Sequence, residues 1–488
     1  MAKPEDMFDR EWEWSELTAF AADTAPGATL GVISGRRRQG KSFLLDALAR
    51  AAGGFYFCAY EGTQAESLRR FGDELGRYLG SVAPMRFESW EQAVDALLAL
   101  GRDRPLPVVL DEFPYLARHT PALPSIIQVA YGPRRPERIE SRTRLLLCGS
   151  SMSFMGGLLS GTAPLRGRAG LELVVQPLDY RQAAAFWGLE DDPRLSFLVH
   201  AVVGGTPAYR REFVRDDAPS GMDDFDAWVC RTVLSPSCPL FREVRYLLAD
   251  DADIRDRALY HSVLAALANG NATSGRVASY LERPASDITH PLTVLRDCGL
   301  VVKEADAFRR NRQTYRAADP LITFDHAMVR PKLPALERGA ADQVWREGQA
   351  KFRSAVVGPH FEQLCRDWVA HFAATDTFGG MPIDVTHGMV PDQARKMSHE
   401  VDVVVRGAVG QDSGLLLSVG ECKWDTVMGT GHLERLQHIV GLLDRRGENI
   451  SHLRPACYSG AGFTPELWAA ERRGEVVLVD LERLYRGE

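Results

Sequence analysis

Gly35-Arg36-Arg37-Arg38-Gln39-Gly40-Lys41-Ser42 follows the short apolar run Leu30-Gly31-Val32-Ile33 and precedes Phe43-Leu44-Leu45-Asp46-Ala47-Leu48, whose apolar residues recur at helical spacing. Strand, glycine loop and helix form the setting in which G-x-x-x-x-G-K-[ST] wraps a phosphate. The glycines let successive backbone N–H groups turn into one nest, and the helix N-terminus adds its positive end. Lys41 is placed to reach β- and γ-phosphates, and the Ser42 hydroxyl to ligate Mg²⁺. Gly35, Gln39, Gly40, Lys41, Ser42 and Phe43 are therefore the expected nucleotide-binding segment, with ATP and Mg²⁺ as the expected cofactors. The competing reading is a glycine-rich turn that happens to carry Lys-Ser, but the flanking strand and helix speak against it. Arg36, Arg37 and Arg38 either add phosphate contacts or face solvent.

A second apolar run, Pro107-Val108-Val109-Leu110, ends in Asp111-Glu112. Asp111 at a strand end would hold Mg²⁺ through water, and Glu112 would polarise an attacking water. Asp after a buried strand is also a common helix cap, so the glycine loop upstream decides for the catalytic reading. A third run, Arg144-Leu145-Leu146-Leu147-Cys148, leads into Gly149-Ser150-Ser151, where Ser150 is expected to sit beside a γ-phosphate. Arg166 and Arg168 follow, either as arginines that approach the γ-phosphate, in cis or on a neighbouring copy, or as solvated surface charges. Strands alternating with helical stretches predict an α/β sheet with the nucleotide at the strand C-terminal ends. Beyond Pro177 the pattern turns helical, like a lid. Its Gly204-Gly205-Thr206-Pro207 turn either packs Pro207 against a base or simply joins two helices.

Composition bounds the rest. The 488 residues suggest roughly three domains. With 45% apolar and 25% charged residues the chain reads as an ordinary globular protein. No apolar run approaches the ~18 residues a membrane span needs, and the N-terminus lacks an apolar signal core. Eight scattered cysteines without a C-x-x-C pair imply neither a disulfide framework nor a zinc site, so a reducing cytoplasm is expected. A net charge of −7 argues against wholesale coating by nucleic acid but leaves room for a local basic surface.

Phe8-Asp9-Arg10-Glu11, the glycine loop, Leu110-Asp111-Glu112-Phe113-Pro114-Tyr115, Gly149-Ser150-Ser151 and Gly204-Gly205-Thr206-Pro207 occur in one order. In that order they resemble the prokaryotic "archaeal ATPase" family, of the STAND branch of AAA+-like P-loop ATPases, over roughly residues 5–245. The usual Gly of the opening motif is Asp9 here. The resemblance implies ATP, Mg²⁺ and a switch-like ATPase rather than a metabolic kinase. Assembly through the ATPase domain into a homo-oligomer is a further possibility.

From Asp256 three helical stretches are followed by Gly299-Leu300-Val301-Val302-Lys303 and Thr314-Tyr315-Arg316, two short strands expected around a basic tip, Arg309-Arg310-Asn311-Arg312. Three helices and a β-wing make a winged helix-turn-helix. Its wing arginines would contact DNA phosphates; otherwise the module packs as a regulatory joint.

After a polar stretch around 330–348, Gly358-Pro359-His360-Phe361-Glu362 opens a helix. His399-Glu400-Val401-Asp402-Val403-Val404-Val405 and the run Gly414–Trp424 read as hairpin partners. Side chains alternate along a strand, so Glu421 and Lys423 share a face. Asp402 and Glu421 on neighbouring strands can share a divalent cation, with Lys423 orienting or deprotonating a water. This looks like the PD-(D/E)xK nuclease core found C-terminal to this ATPase family as a DUF234-type domain. The resemblance implies Glu362, Asp402 and Glu421 as metal ligands and Glu421 and Lys423 as catalytic. No Pro precedes Asp402, Glu400 competes on the same face, and Gln437 either orients water or lies on the surface. The alternative is a degenerate fold that keeps these charges as a salt bridge.

The expected architecture is thus an ATPase core (1–176), a helical lid (177–250), a winged helix (251–328), a linker (329–352) and a nuclease-like α/β domain (353–488). The expected function is an ATP switch controlling Mg²⁺-dependent cleavage, in genome defence or mobile-element control, with DNA as partner. A non-cleaving, ATP-switched regulator or scaffold is the competing class.

Overall fold

The computed structural model describes residues 1–249 and 256–487, and the chain divides into two compact units. The first holds Met1–Pro177 with the short segments Thr206–Ala208 and Asp297–Gly299; the second holds the rest. The expected boundary at 250/251 lies outside the described residues.

In the first unit five strands, β1 (Thr29–Ser34), β2 (Phe55–Cys58), β3 (Leu106–Asp111), β4 (Thr143–Gly149) and β5 (Ala169–Val174), pair in the order β2-β3-β4-β1-β5. Every pairing is parallel. β3 and β4 are buried along their whole length, as strands covered by helices on both faces must be. One layer comes from Leu44, Leu45 and Leu48 of helix Lys41–Ala52, packed with Ile33 and Val109. The other comes from Leu68, Phe71 and Leu75 of helix Gln64–Tyr78 and from Trp90, Val94 and Leu97 of helix Trp90–Leu100. These i, i+3, i+4, i+7 positions are the apolar stripes the sequence carries. The strand order sets the carboxyl ends of β3, β4 and β1 side by side.

A fully buried arginine fixes the turn that feeds β1. Arg144 on β4 donates to the carbonyls of Asp23 at 2.6 Å, Ala25 at 2.7 Å and Gly27 at 2.7 Å. Its guanidinium thereby exchanges water for three carbonyl acceptors, which is what makes burying the charge tolerable.

The second unit opens with helices Tyr180–Trp187, Pro193–Val203 and Met222–Arg231. Three more, Arg257–Ala268, Ser274–Tyr280 and Ala285–Asp297, precede β6 (Val301–Asp306) and β7 (Arg309–Ala317), an antiparallel pair. One expectation shifts here. Arg309-Arg310-Asn311-Arg312 is not the hairpin tip but the start of β7, and the turn is Ala307-Phe308. Asp306 Oδ1 accepts from Phe308 N at 2.9 Å, which closes the shorter turn, and Ala307 and Phe308 pack on the C-terminal apolar core. An apolar pair at the tip gains more from that burial than from solvent.

Residues 330–348, expected as a polar linker, are largely helical within Leu333–Glu337 and Ala341–Phe352, because Leu336, Val344, Trp345 and Phe352 form a buried stripe. Helix Gly358–His371 follows with Phe361, Leu364, Cys365 and Trp368 inward, as their spacing requires. Then come β8 (Met381–Asp392), β9 (Met397–Val409), β10 (Asp412–Lys423), β11 (Arg454–Ser459) and β12 (Val477–Asp480). The sheet order is β12-β11-β10-β9-β8-β6-β7. β8, β9 and β10 run antiparallel, while β10, β11 and β12 are parallel. Helix Thr430–Arg445 covers one face through Leu433, Leu436, Ile439 and Leu443, against Val404, Val419 and Cys457.

Two buried imidazoles in this unit make stability depend on pH. His326 Nδ1 faces Ile322 O at 3.0 Å and so carries its proton there, leaving Nε2 to accept from His261 Nδ1 at 3.5 Å. Burial holds His326 down to about 4 and His261 to about 3, while it pushes neighbouring Asp325 up to about 7. At pH 5 the unfolded chain binds two imidazole protons that the folded one refuses; the folded chain holds one carboxyl proton that the unfolded one lacks. For these three groups the net single proton favours unfolding, so their joint contribution to stability is greatest near neutral pH and falls by ~1.4 kcal/mol per pH unit from about pH 6.5 toward pH 4. Urea midpoints at pH 7 and pH 5 should show this loss, with a flatter dependence in His326→Gln; equal slopes would refute it.

Candidate functional site

The loop after β1 is built by backbone conformations that suit glycine. Gly35 has φ 150°, and a Cβ there would lie 2.5 Å from Val175 O. Gly40 is left-handed at φ 88° immediately before helix Lys41–Ala52. Lys41 is buried, and its Nζ donates back across the loop to Gly35 O at 2.7 Å and Arg36 O at 2.8 Å. Burial depresses the Lys41 ammonium, and Cys148, Glu112 and Asp111 partly restore it. Ser42 and Phe43 are exposed on the first turn of the helix.

Gln39 is 1% exposed, and the sequence alone did not show why. Its Nε2 donates to Thr206 Oγ1 at 3.1 Å, its backbone oxygen accepts from Arg10 Nη2 at 3.3 Å, and Arg10 also pairs with Glu13 at 2.8 Å. The buried Oε1 of Gln39 has no hydrogen-bond partner. Two distant pieces of sequence, Phe8–Glu11 and the Gly205-Thr206-Pro207 turn, thus converge on one glutamine. Pro207, half-buried, is the next residue along; Thr206 is the one that touches the loop.

Asp111 lies at the end of β3, 1% exposed. Its Oδ1 accepts from Glu112 N at 2.8 Å and its Oδ2 from Tyr56 OH at 2.6 Å. Tyr56, on β2, was not singled out from sequence; alternation along Phe55-Tyr56-Phe57 puts it on the face opposite its neighbours. Glu112 is left-handed at φ 51°, an uncommon conformation for a glutamate that turns its carboxylate toward the tip of β4. There Ser150 Oγ donates to both carboxylate oxygens, at 3.2 and 3.3 Å. Burial and then Asp111 raise the Glu112 carboxyl, against Arg37, Lys41 and Ser150. Ser151 instead caps helix Met152–Leu159.

The two candidate arginines are engaged elsewhere. Arg166, exposed, donates to Gly161 O at 2.6 Å, and Arg168 to Tyr131 O at 3.1 Å. Neither makes a described bond to the loop. Arg37 Nη2 donates to Tyr115 OH at 3.0 Å, which ties one of the three loop arginines to the segment after Asp111-Glu112.

In the second unit Asp402 on β9 accepts from Cys422 N at 2.8 Å. Glu421 on β10 is buried, with Lys423 Nζ 2.9 Å from Oε1 and Arg435 Nη1 2.7 Å from Oε2. Burial and then Asp402 push Glu362 up to about 8, and burial raises Asp402 as well. Burial would also raise Glu421, but Lys423 and Arg435 outweigh it and hold it low. These carboxylates therefore sense one another, with Glu400 adding to the repulsion. Their ligand atoms do not form a compact triad: among the described residues the three-ligand group within 4.8 Å is a different one, Asp392, His399 and His438. Gln437 is exposed; Arg435, two residues earlier on the helix, reaches Glu421 instead. Arg366 Nη1 further holds Asp402 O at 2.7 Å. Neither arginine belongs to a motif with a readable spacing, so no local pattern points to them.

No family model matches the chain. A relative of 25% identity over 315 residues is an uncharacterized protein of Methanocaldococcus jannaschii, with 64% of this chain and 66% of the relative covered; the match thus spans just under two thirds of that protein. Similar solved structures include a Walker-type ATPase of Pyrococcus abyssi, at TM-score 0.46 and 20% identity over 66% of this chain and 97% of that one. The ORC2 protein of Aeropyrum pernix follows at TM-score 0.39 and 14% identity, over 72% and 97%. At such scores the function has to be read from the residues themselves.

The loop chemistry makes one such reading testable. Lys41→Ala removes a cation able to make charge-assisted bonds of ~1.5–3 kcal/mol each, so affinity for a fluorescent nucleoside triphosphate should fall roughly 10- to 100-fold. Unchanged binding in this variant would remove the loop from the site.

Proposed function

We propose that this chain is an ATP-binding and ATP-hydrolysing switch whose nucleotide state governs a C-terminal, Mg²⁺-dependent nuclease-like domain. The observation that carries the first half is the convergence of Lys41, Asp111, Glu112 and Ser150 at the adjoining carboxyl ends of β1, β3 and β4. Ligands of open α/β sheets bind at that edge. The backbone nest and Lys41 would hold the phosphates. The donors near them, Ser42 and Asp111, are all oxygen and so suit Mg²⁺, which when bound would neutralise phosphate charge. Glu112, lifted by burial, would hold a water proton, and Ser150, which now grips its carboxylate, would release or reorient it. Arg166 and Arg168 remain candidates for contact with a neighbouring copy, in a homo-oligomer formed through the ATPase domain.

The second half rests on the Glu362, Asp402, Glu421, Lys423 cluster on a helix and two antiparallel strands, the layout of a PD-(D/E)xK core of DUF234 type. The mutual repulsion of Glu362 and Asp402 is what a cation would relieve. Mg²⁺ there would be held by Glu362, Asp402 and Glu421, and Lys423 would orient water beside it. The three helices with the β6–β7 hairpin read as a winged helix. Arg309 Nη2 donates to Ser398 Oγ at 3.4 Å and Arg312 stands 3.8 Å from Asp306, so this hairpin serves more readily as a structural joint than as a DNA clamp. DNA remains the substrate class that the nuclease-like cluster favours, and genome defence or mobile-element control the setting.

A second reading has its own observation: Glu421 already faces two cations, Lys423 and Arg435. That is the arrangement of a non-cleaving scaffold or regulator with a degenerate nuclease fold. Incubation with plasmid, linear and single-stranded DNA, with Mg²⁺ or Mn²⁺ and with or without ATP, separates the two. Cleavage should appear and be abolished by Glu421→Ala or Lys423→Ala while nucleotide binding stays intact. Absence of cleavage under every condition would discard the nuclease half and leave the ATP switch.

A further inference from the structure

We propose that Asp392, His399 and His438 form a binding site for a divalent transition metal of the Zn²⁺ class, separate from the acidic cluster. Asp392 is the last residue of β8 and His399 lies near the start of β9. In the β8–β9 register Val390 faces His399 and Asp392 faces Met397, so Asp392 and His399 are diagonal neighbours on one face. Helix Thr430–Arg445 packs on that face, where Leu436 and Ile439 meet Val390 in one core, and His438 lies between them. Three elements thereby bring two imidazoles and a carboxylate to one point.

The atoms are arranged for a ligand. Asp392 Oδ1 is taken by Arg395 N at 3.1 Å, in the turn that joins the strands. Oδ2 is left facing inward, 2.8 Å from His438 Nε2 and 3.5 Å from His399 Nε2. Zn²⁺ with bonds of ~2.0–2.1 Å in a tetrahedron spaces its donors by about 3.3 Å, and these two distances bracket that value. All three donor atoms lie within 4.8 Å of one another. Two imidazole nitrogens and one carboxylate oxygen are the donor set of a Zn²⁺ site with one position left for water, and a poor set for Mg²⁺. The Asp392 and His399 side chains are 2% and 7% exposed, and His438 is 32% exposed, so the open position lies on the solvent side. The nearest competing cation is Arg395, Nε 3.8 Å from Oδ2, on a side chain exposed enough to swing away.

An ion here would clip the end of the β8–β9 hairpin to the helix that carries Arg435, one turn before His438. Since Arg435 meets Glu421, the metal would hold the helix register on which that ion pair depends. This consequence stands whether or not the acidic cluster cleaves DNA.

Full-length protein stripped with a chelator and titrated with Co²⁺ tests the site. One equivalent should bind with visible d–d absorption, Zn²⁺ should displace it, and Zn²⁺ should raise the thermal midpoint. Asp392→Asn and His438→Gln should each weaken Co²⁺ binding roughly tenfold or more. His438 is part-exposed, so that variant is expected to fold. Asp402→Asn, which alters the acidic cluster, should leave the Co²⁺ signal unchanged. Wild-type protein that retains no Zn²⁺ after equilibrium dialysis at micromolar free metal would overturn the proposal. A Co²⁺ signal that survives His438→Gln but disappears in Asp402→Asn would overturn it equally.

Discussion

The close approach of Gly35 to Val175 O governs the first unit. With 2.5 Å available, no side chain fits, so the chain leaves β1 in a conformation reserved for glycine and turns at once into the loop. The second glycine, Gly40, delivers the backbone into a helix whose first residue is Lys41. Everything at this edge then depends on strand order. Because β4 lies between β3 and β1, the residues leaving β3 and β4 meet beside the loop rather than across the sheet. The strained Glu112 backbone is the local cost of aiming a carboxylate at Ser150 from a strand end.

The second unit is organised by the opposite problem, charges that repel in a confined place. Burial and the neighbouring Asp402 and Glu400 raise Glu362, burial and then Glu400 and Glu421 raise Asp402, while Glu421 is compensated by Lys423 and Arg435. Buried like charges are tolerated only where something offsets them, and here the offset is uneven across the cluster. Two carboxylates carry the excess, and one carries two cations. That asymmetry separates the cleaving from the non-cleaving reading more sharply than the identity of the residues does.

The sequence revealed what short-range periodicity and spacing encode. The strand–loop–helix around Lys41, the strand ending in Asp111, and the antiparallel pair carrying Asp402 and Glu421 all appear as local patterns. Contacts set by the tertiary fold left no such trace. Tyr56 reaches Asp111 across neighbouring strands, Arg10 reaches the loop from before β1, and Thr206 comes from a segment far along the chain. Arg435 and His438 sit on a helix whose rotation is fixed by Leu436 and Ile439, and only that rotation tells which polar residues turn inward. The hairpin tip was misplaced for a related reason. Ala307-Phe308 becomes a turn because an apolar core waits beneath it, whereas an arginine run looks like a solvent-exposed tip when read alone.

That hairpin makes the sheet of the second unit continuous across two stretches of sequence that look like separate modules. β6 meets β8 at Asp306 and His387, Ala307 N donates to His387 O at 2.9 Å, and Thr386 Oγ1 donates to Ala305 O at 2.7 Å. A fragment starting after residue 328 would therefore keep its own hydrophobic core yet bare one margin of β8, with backbone donors and acceptors ready to pair with a stranger. In the whole chain β6 pairs with that margin at Asp306. Shuffling these modules in evolution would require a new cover for that margin, so the two stretches are expected to be inherited together.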